Sequence, residues 1–323
     1  MRRIFGIFAT LAVLLVLVST AVAEQNFPTK PVRLLIPYAA GGAVDILGRT
    51  LGDELSKKWG QPVIIENRTG AGGTIASQVV AKSEPDGYTL VIIASGHAIN
   101  PYLYTKLPYD TFKDFTPISL LGSSPNMMLV AANSPFNTLG DVLTAARAKP
   151  GSLSYGMSGI GTSTHLAGEL FKYMAKVNIT AVSYKGGAPI INDLLGGHIP
   201  LSFNNIPESI GQIRSGSLRV LGVTTAKRSA VLPDSPTIAE AGVSGYDTAV
   251  WWGMLGPGGM PENLAAKISK DCADALHAPV VKQRLDNLGA AVIGTTVAEF
   301  DKFIRAEYQK WGPIIKAAGI KGS

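Results

Sequence analysis

Ser158 stands in the segment Gly156-Met157-Ser158-Gly159-Ile160, with His165 seven residues on and Asp193 further along a chain of 323 residues. A serine, a histidine and a carboxylate are the parts of an acyl-transfer triad. The elbow G-x-S-x-G, however, needs glycine where Ile160 stands, because the sharp strand-to-helix turn has no room for a side chain there. His97, His165, His198 and His277 lie far apart, without H-E-x-x-H or cysteine partners, so no metal site is expected. Gly70-Ala71-Gly72-Gly73 has Ile75 at the last position of a dinucleotide fingerprint, and there is no G-x-x-x-x-G-K-[ST] loop. No cofactor and no catalytic residue are therefore assigned, and the chain is expected not to be an enzyme; a secreted serine hydrolase using Ser158 is kept as an alternative.

What remains is the chemistry of binding. Four short apolar runs each end in a glycine-rich turn and pass into a helix-like segment, twice in each half. Residues 32–36 lead to Pro37-Tyr38-Ala39-Ala40-Gly41-Gly42, and 63–65 to Asn67-Arg68-Thr69-Gly70-Ala71-Gly72-Gly73. Residues 153–155 lead to Ser158-Gly159-Ile160-Gly161-Thr162-Ser163, and 179–183 to Tyr184-Lys185-Gly186-Gly187. Turns without Cβ atoms let main-chain N–H groups and the positive end of the next helix approach an anion. Two such pairs predict one small anion held between two lobes.

Within these turns Tyr38 is a candidate wall of the site, whereas Trp251 and Trp252 are assigned to hinge and core. Thr162 and Ser163 can cap the following helix or offer hydroxyls to a ligand, and the spacing permits both. Asp45 reads first as a dipole-compensating cap and second as a ligand contact. Arg33 and Arg68, beside the first-half turns, read first as structural ion pairs.

The elements that position these turns alternate. Strands at 32–36, 63–65 and 89–94 with helices at 44–59 and 75–82 make one α/β unit, Gly60 closing the first helix. A loop-rich stretch, 102–115, precedes apolar runs at 118–121 and 127–132. Helices at 138–148, 164–176 and 189–195 with strands at 153–155, 179–183, 201–203 and 218–223 make a second unit. A helix near 238–241, a run at 250–255, and then only helices, 264–276, 279–288 and 297–311, complete the chain. The three terminal helices are expected to pack back on the first sheet. The fold expected is α/β, in two lobes. Each lobe is a doubly wound, mostly parallel sheet flanked by helices, with two interlobe crossovers. The lobes are drawn as 24–125 plus 248–323, and 126–247.

Arg2 and Arg3, the apolar stretch 4–18 and Ala21-Val22-Ala23 form a signal peptide, 1–23, expected to be cleaved after Ala23 to release the protein into the periplasm. No later run is long enough to span a bilayer. Cys272 is the single cysteine, so no internal disulfide forms, and it reads as a small buried apolar residue. The formal charge is +6, of which Arg2 and Arg3 belong to the leader. The remaining basic residues are scattered without an aromatic ladder, so no nucleic-acid partner is expected.

Several segments together resemble the periplasmic solute-binding proteins of tripartite tricarboxylate transporters, the Bug family, over essentially the whole mature length. In the first half they are Pro31-Val32-Arg33-Leu34-Leu35-Ile36-Pro37-Tyr38 with Gly41-Gly42 and Asp45, Gln61-Pro62-Val63, Glu66-Asn67-Arg68, Gly70-Ala71-Gly72-Gly73 and Pro85-Asp86-Gly87-Tyr88-Thr89. In the second they are Gly161-Thr162 with His165-Leu166, Tyr184-Lys185-Gly186, Asp193-Leu194, Gly196-Gly197, Leu232-Pro233-Asp234 and Pro236-Thr237. The resemblance implies a two-lobed periplasmic binding protein of type II-like architecture, a hinged receptor that closes on a carboxylate and presents it to membrane permease subunits. The turns at 37–42 and 70–73 would meet the ligand from one lobe, and those at 158–163 and 184–187 from the other. The candidate ligand contacts are thus Tyr38, Ala39, Ala40, Gly41, Gly42, Asp45, Gly72, Gly73, Ser95, His97, Ser158, Gly161, Thr162, Ser163, His165, Tyr184, Gly186 and Asn204. The partners expected are the carboxylate and the permease subunits, with the receptor a monomer.

The chain departs from the family pattern at Ala43 and Val44, in place of a third glycine and threonine, and at His198 and Asn204, where acidic residues are common. Loss of an acidic group from the pocket wall there disfavours ligands that carry an ammonium group, and predicts a mono- or dicarboxylate ligand lacking an amino group. A sensory subunit delivering its ligand state to a membrane kinase shares every one of these features, since fold does not separate sensing from uptake.

Overall fold

The computed structural model describes residues 27–320 apart from Ala39 and Leu288; the proposed leader lies outside them. Strand β1, Val32–Ile36, is buried at nearly every position and pairs in parallel with β2, Val63–Asn67, and β3, Thr89–Ala94. Helix α1, Ala43–Trp59, joins the first two, burying Leu47, Leu51 and Leu55 and ending at Gly60 in the left-handed region with φ +63°. Helix α2, Thr74–Ala81, links β2 to β3. Helix α3, Gly96–Leu103, follows β3 and contains Pro101. The sequence analysis assigns no helix here, and places 102–115 in a loop-rich stretch. Burial of Ile99 and Leu103 holds the short helix despite the missing proline N–H.

The chain then makes β4, Phe115–Ser124, and passes at Pro125 into β5, Asn126–Ala131, which belongs to the other sheet. There α4 (Leu139–Ala148), β6 (Ser154–Met157), α5 (Ser163–Ala175), β7 (Thr180–Ser183), α6 (Gly187–Leu195), β8 (Leu201–Asn205), α7 (Ile206–Arg214) and β9 (Leu218–Val223) follow. Helix α7 was not read from the sequence, although Pro207 in its first turn and Ile206, Ile210 and Ile213 at helical spacing signal it. Residues 238–241, expected as a helix, form a single turn: Thr237 and Glu240 cap each other reciprocally, and Gly242 at φ +127° ends it.

Strand β10, Val250–Pro257, returns to the first sheet, and α8 (Glu262–Leu276), α9 (Pro279–Asn287), a two-residue strand β11 (Ala291–Val292) and α10 (Val297–Ala318) close the chain. The short β11 corrects the expectation of helices alone after residue 257; it pairs with β4 at Ser123 and Gly122. The sheet orders are β11-β4-β10-β3-β1-β2 and β7-β6-β8-β5-β9. In each sheet the strand arriving from the other lobe, β10 between β4 and β3 and β5 between β8 and β9, runs antiparallel to its neighbours. The sheets are accordingly mixed, with parallel pairing confined to the βαβ units.

The terminal helices do cover the first sheet. Ile268 and the fully buried Cys272 of α8 join the cluster around Val32 and Leu34, and Phe300 and Ile304 of α10 that around Leu35 and Val91. Helix α10 is longer than expected and does more: past Glu307 its Trp311, Ile314 and Ile315 enter the core of the second lobe beside Leu166, Leu170 and Phe171. Gly253 on β10 is where α10 lies closest, since a Cβ there would collide with the Phe300 ring. Gly253→Ala should therefore lower stability by about 2 kcal/mol, read from the midpoint of denaturant unfolding, through overpacking against a buried aromatic ring.

Candidate functional site

A cavity of about 430 Å³ lies between the lobes. It is bordered by Tyr38, Gly41, Gly42, Ala43 and Val44 at the start of α1, Gly72 before α2, and Ser95 and Gly96 at the start of α3. From the other lobe come Ser158, Ile160, Gly161, Thr162 and Ser163 at the start of α5, and Asn205, Pro207 and Glu208 at the start of α7. Four of these five helices follow directly on a strand, so their N-termini meet at the carboxyl edges of the sheets. Among the described lining residues there is no lysine, arginine or histidine. The positive potential of the cavity is that of main-chain N–H groups.

The N–H groups differ from those the glycines suggested. Gly41 N–H donates to Asp45 Oδ2 at 2.9 Å, Ser158 N–H to Thr164 Oγ1 at 2.9 Å, and Gly161 N–H to His165 Nδ1 at 3.1 Å. Gly73 N–H is spent on Gly70 O at 2.9 Å. The turns are thus stitched internally, and the donors left over lie one step further on. Ala43, Val44, Gly96 and Ser163 line the cavity, and their N–H groups find no acceptor among the described residues. Each opens a helix, where an N–H has no intrahelical partner.

Behind the first turn a polar lock fixes its shape. Asp45 is buried and accepts from Gly41, from Arg49 Nε at 2.9 Å and from Asn67 Nδ2 at 2.8 Å, while Asn67 also donates to Tyr38 O at 3.0 Å. Burial works to raise the Asp45 carboxyl, but the hydrogen bonds from Arg49, Gly41 and Asn67 outweigh it and hold it below the ordinary carboxylate range. Arg33 and Arg68 both pair with Glu66, at 2.7 and 3.3 Å, as structural ion pairs. The Tyr38 hydroxyl is pushed up to about 12, chiefly by burial, and so stays protonated at any ordinary pH.

Of the residues expected at the site, Tyr38, Gly41, Gly42, Gly72, Ser95, Ser158, Gly161, Thr162 and Ser163 border one cavity. Ala39 lies outside the described residues, and Ala40 is exposed away from the lining. Asp45, Gly73 and His165 stand behind the turns. His97 is buried, stacked 5.6 Å from Tyr109 and edge-on to Phe115 at 4.9 Å. Tyr184 donates to Asp193 Oδ2 at 2.6 Å, Gly186 precedes α6 with φ +106°, and Asn204 is fully buried on β8. None of these three borders the cavity.

Asn100, Tyr104, Trp252 and Glu208 border it without having been expected. Asn100 and Tyr104 sit in or just after the helix the sequence reading missed. Trp252 was assigned to hinge and core; it is 2% exposed, but one face of β10 turns it toward the cleft while Trp251 packs against Phe300 and Phe303. Glu208 is an acid that the sequence analysis did not place at the wall: His198 and Asn204 are neutral, and the helix after β8 supplies a carboxyl four residues past Asn204.

A hydrolytic triad is not assembled. Ser158 Oγ pairs with Thr164 Oγ1 at 2.8 Å, His165 Nδ1 accepts from Gly161 and its Nε2 lies 3.9 Å from Glu169, and Asp193 is taken by Tyr184. Each would-be member serves a different partner. Burial pushes the His165 imidazole down, Glu169 partly opposing, so it remains the neutral acceptor that Gly161 requires.

Gly161 is also where the lobes touch. Its φ is +77°, and a Cβ there would stand 2.8 Å from Leu103 Cδ1 of α3 in the opposite lobe. Gly161→Val should weaken ligand binding by at least about 100-fold, measured by calorimetric titration, because the side chain wedges the lobes apart and displaces the turn. The unfolding midpoint should move only slightly, by about 1–2 kcal/mol of strain.

Burial lowers the His97 imidazole to about 4, a backbone hydrogen bond with Thr111 partly offsetting it. The fold favours the neutral ring, so its contribution is complete above about pH 6.5 and is lost as pH falls from there to about 4. That amounts to about 3 kcal/mol. His97→Gln should flatten stability against pH in that window, as read by denaturant titrations at stepped pH.

The chain is similar to known proteins over most of its length. Residues 47–320 match the model of the tripartite tricarboxylate transporter family receptors, TctC. An R. palustris protein solved with adipate is 38% identical with a TM-score of 0.79, over 91% of this chain and 99% of that one. The periplasmic binding protein BugD is 32% identical, TM-score 0.76, over 91% and 99% of the two chains. MatC from Rhodopseudomonas palustris, solved with bound malate, is 31% identical, TM-score 0.76, over 90% and 100%. The chain belongs to the TctC family of tripartite tricarboxylate transporter receptors, the solute-binding proteins of the Bug type.

Proposed function

We propose that this chain is a periplasmic receptor that closes on a small carboxylate and delivers it to the membrane subunits of a tripartite transporter, without catalysing any change in it. The observation that carries this reading is a closed-in cavity bordered by five helix N-termini and by no cationic side chain among the described residues. Such a site favours an anion small enough to be enclosed by main-chain donors, and it has no means of covalent attack. The apolar share of the wall, from Val44, Ile46, Leu103, Ile160 and Trp252, suits a hydrocarbon chain between carboxyl groups. Homologues with adipate and malate support a dicarboxylate.

In this reading the lobes comprise 24–125 with 248–323, and 126–247, and they rock about the passages at Pro125 and at 224–249. The ligand contacts are Tyr38, Ser95, Ser158, Thr162 and Ser163 with the N–H groups of Ala43, Val44 and Gly96. Asp45, His97, His165, Tyr184, Gly186 and Asn204 act from behind, by holding the turns. The receptor works as a monomer, and the leader is removed after Ala23. Closure is favoured by ligand because only the closed form lets both lobes donate to it.

A thermal-shift screen over C4 to C6 dicarboxylates, tricarboxylates and uncharged isosteres tests the assignment. A true ligand at about 100 times its Kd adds about 2.7 kcal/mol of stability. Stabilisation by at least one carboxylate and by none of the matched amides or alcohols is expected; a shift from uncharged compounds alone contradicts it.

A further inference from the structure

Glu208 is the one carboxyl group among the described residues that border the cavity, and no lysine, arginine or histidine accompanies it there. Its place is built rather than incidental. Glu208 Oε2 accepts from Asn205 Nδ2 at 2.9 Å, and Asn205 Oδ1 accepts from Asn126 Nδ2 at 2.7 Å. The Asn126 N–H in turn donates to Thr224 Oγ1 at 2.8 Å. Asn126 opens the strand just past the first crossover, and Thr224 takes the N–H of Thr248 at 2.9 Å in the second. The direction of the Asn205 amide, and with it the seat of the acid, is set from the hinge. Room for the acid comes from Gly187, where a Cβ would stand 2.5 Å from Glu208 Oε2 and 2.7 Å from Asn204 Oδ1.

A carboxylate ligand held beside an ionised Glu208, which is exposed to the cleft, would put like charges together where no cationic side chain offsets them. Protonating one oxygen removes the repulsion and converts Glu208 from an acceptor into a donor toward the ligand. We propose, on the reading that the ligand is a dicarboxylate, that Glu208 takes a proton from solvent on binding and shares it with a ligand carboxylate, so that capture is proton-linked. Glu208 keeps contact with solvent, and partial desolvation by the cleft raises its carboxyl above the ordinary range, with the Asn205 hydrogen bonds pulling the other way.

The charged groups on elements packed against α7 do not take over this role. On α6 Asp193 is held by Tyr184, and on β9 Arg219 donates to the carbonyls of Phe136 and Ala132. Lys185 is exposed in the turn before α6, and Asp286, near the Gly289 contact with Ile206, pairs with Lys282. Arg214 stands at the far end of α7. His165, behind the facing turn, has its imidazole pushed down by burial, and a variant at Glu208 leaves it in place.

Calorimetric titration of the full mature protein with adipate, malate and free L-glutamate, between about pH 5.5 and about pH 8.5, tests the assignment; at pH 7.5 it is run in both phosphate and Tris. Uptake of close to one proton per adipate or malate is expected, with affinity falling by up to about tenfold per pH unit at the upper end. Glu208→Gln keeps the shape and a donor, and should abolish the uptake and exceed the wild type in affinity at the highest pH. Binding without proton uptake in the wild type overturns the inference and leaves the receptor reading intact. Tighter binding of L-glutamate than of adipate, weakened in Glu208→Gln, also overturns it, since Glu208 then accepts an ammonium group. Failure of every carboxylate in the earlier screen removes the receptor reading and this inference with it.

Discussion

Holding an anion with main-chain N–H groups instead of side-chain cations is the constraint on which the rest of this molecule depends. A lysine or arginine can reach a ligand from many backbones, but an N–H at a helix start has the direction of its helix. Every donor therefore requires a helix that begins at the cleft, and a strand that delivers the chain there. The successions β1 to α1, β3 to α3, β6 to α5 and β8 to α7 meet that demand. In the binding mode proposed above, the α/β architecture is thus the device that aims main-chain donors at a charged metabolite.

The same constraint explains the exchange of strands between lobes. Donors from two sheets converge only if the sheets face each other, and they open only if few passages join them. Each lobe sends one strand into the middle of the other's sheet, β5 in one direction and β10 in the other, where antiparallel pairing on both edges anchors it. The passages are then short and fixed at both ends. Helix α10 adds a third tie, with Phe300 and Ile304 in the first lobe and Trp311, Ile314 and Ile315 in the second. Motion between the lobes must be accommodated by that packing as well as by the crossovers, which limits it to small rotations of rigid bodies.

Charge has not been removed from the site so much as moved behind it. Asp45 with Arg49, His165 with Glu169 and Lys172, and Arg33 with Glu66 all stand one layer back, where they hold the glycine turns. The TctC relatives solved with adipate and malate carry small dicarboxylates of quite different polarity. A frame of main-chain donors shared by such ligands leaves discrimination to the few side chains that do face the cavity, among them Tyr104, Trp252 and Glu208.

Residues alone were enough for the strand and helix boundaries of the βαβ units, because period and glycine punctuation are local properties; β1, β3 and β9 fall where the apolar runs stand. The four glycine turns were likewise visible. Hidden were α3, whose Pro101 argues locally against a helix that tertiary burial of Ile99 and Leu103 sustains, and the antiparallel strands, since apolar runs carry no sign of direction. The site divided in the same way. Glycine, whose missing Cβ is a local fact, marked three turns that border the cavity, 37–42, 70–73 and 158–163, and a fourth, 184–187, that does not. Which N–H groups stay unspent, and that Trp252 and Glu208 face the cavity, was decided only in the folded chain, because a hydrogen-bond donor is free or used according to its neighbours in space.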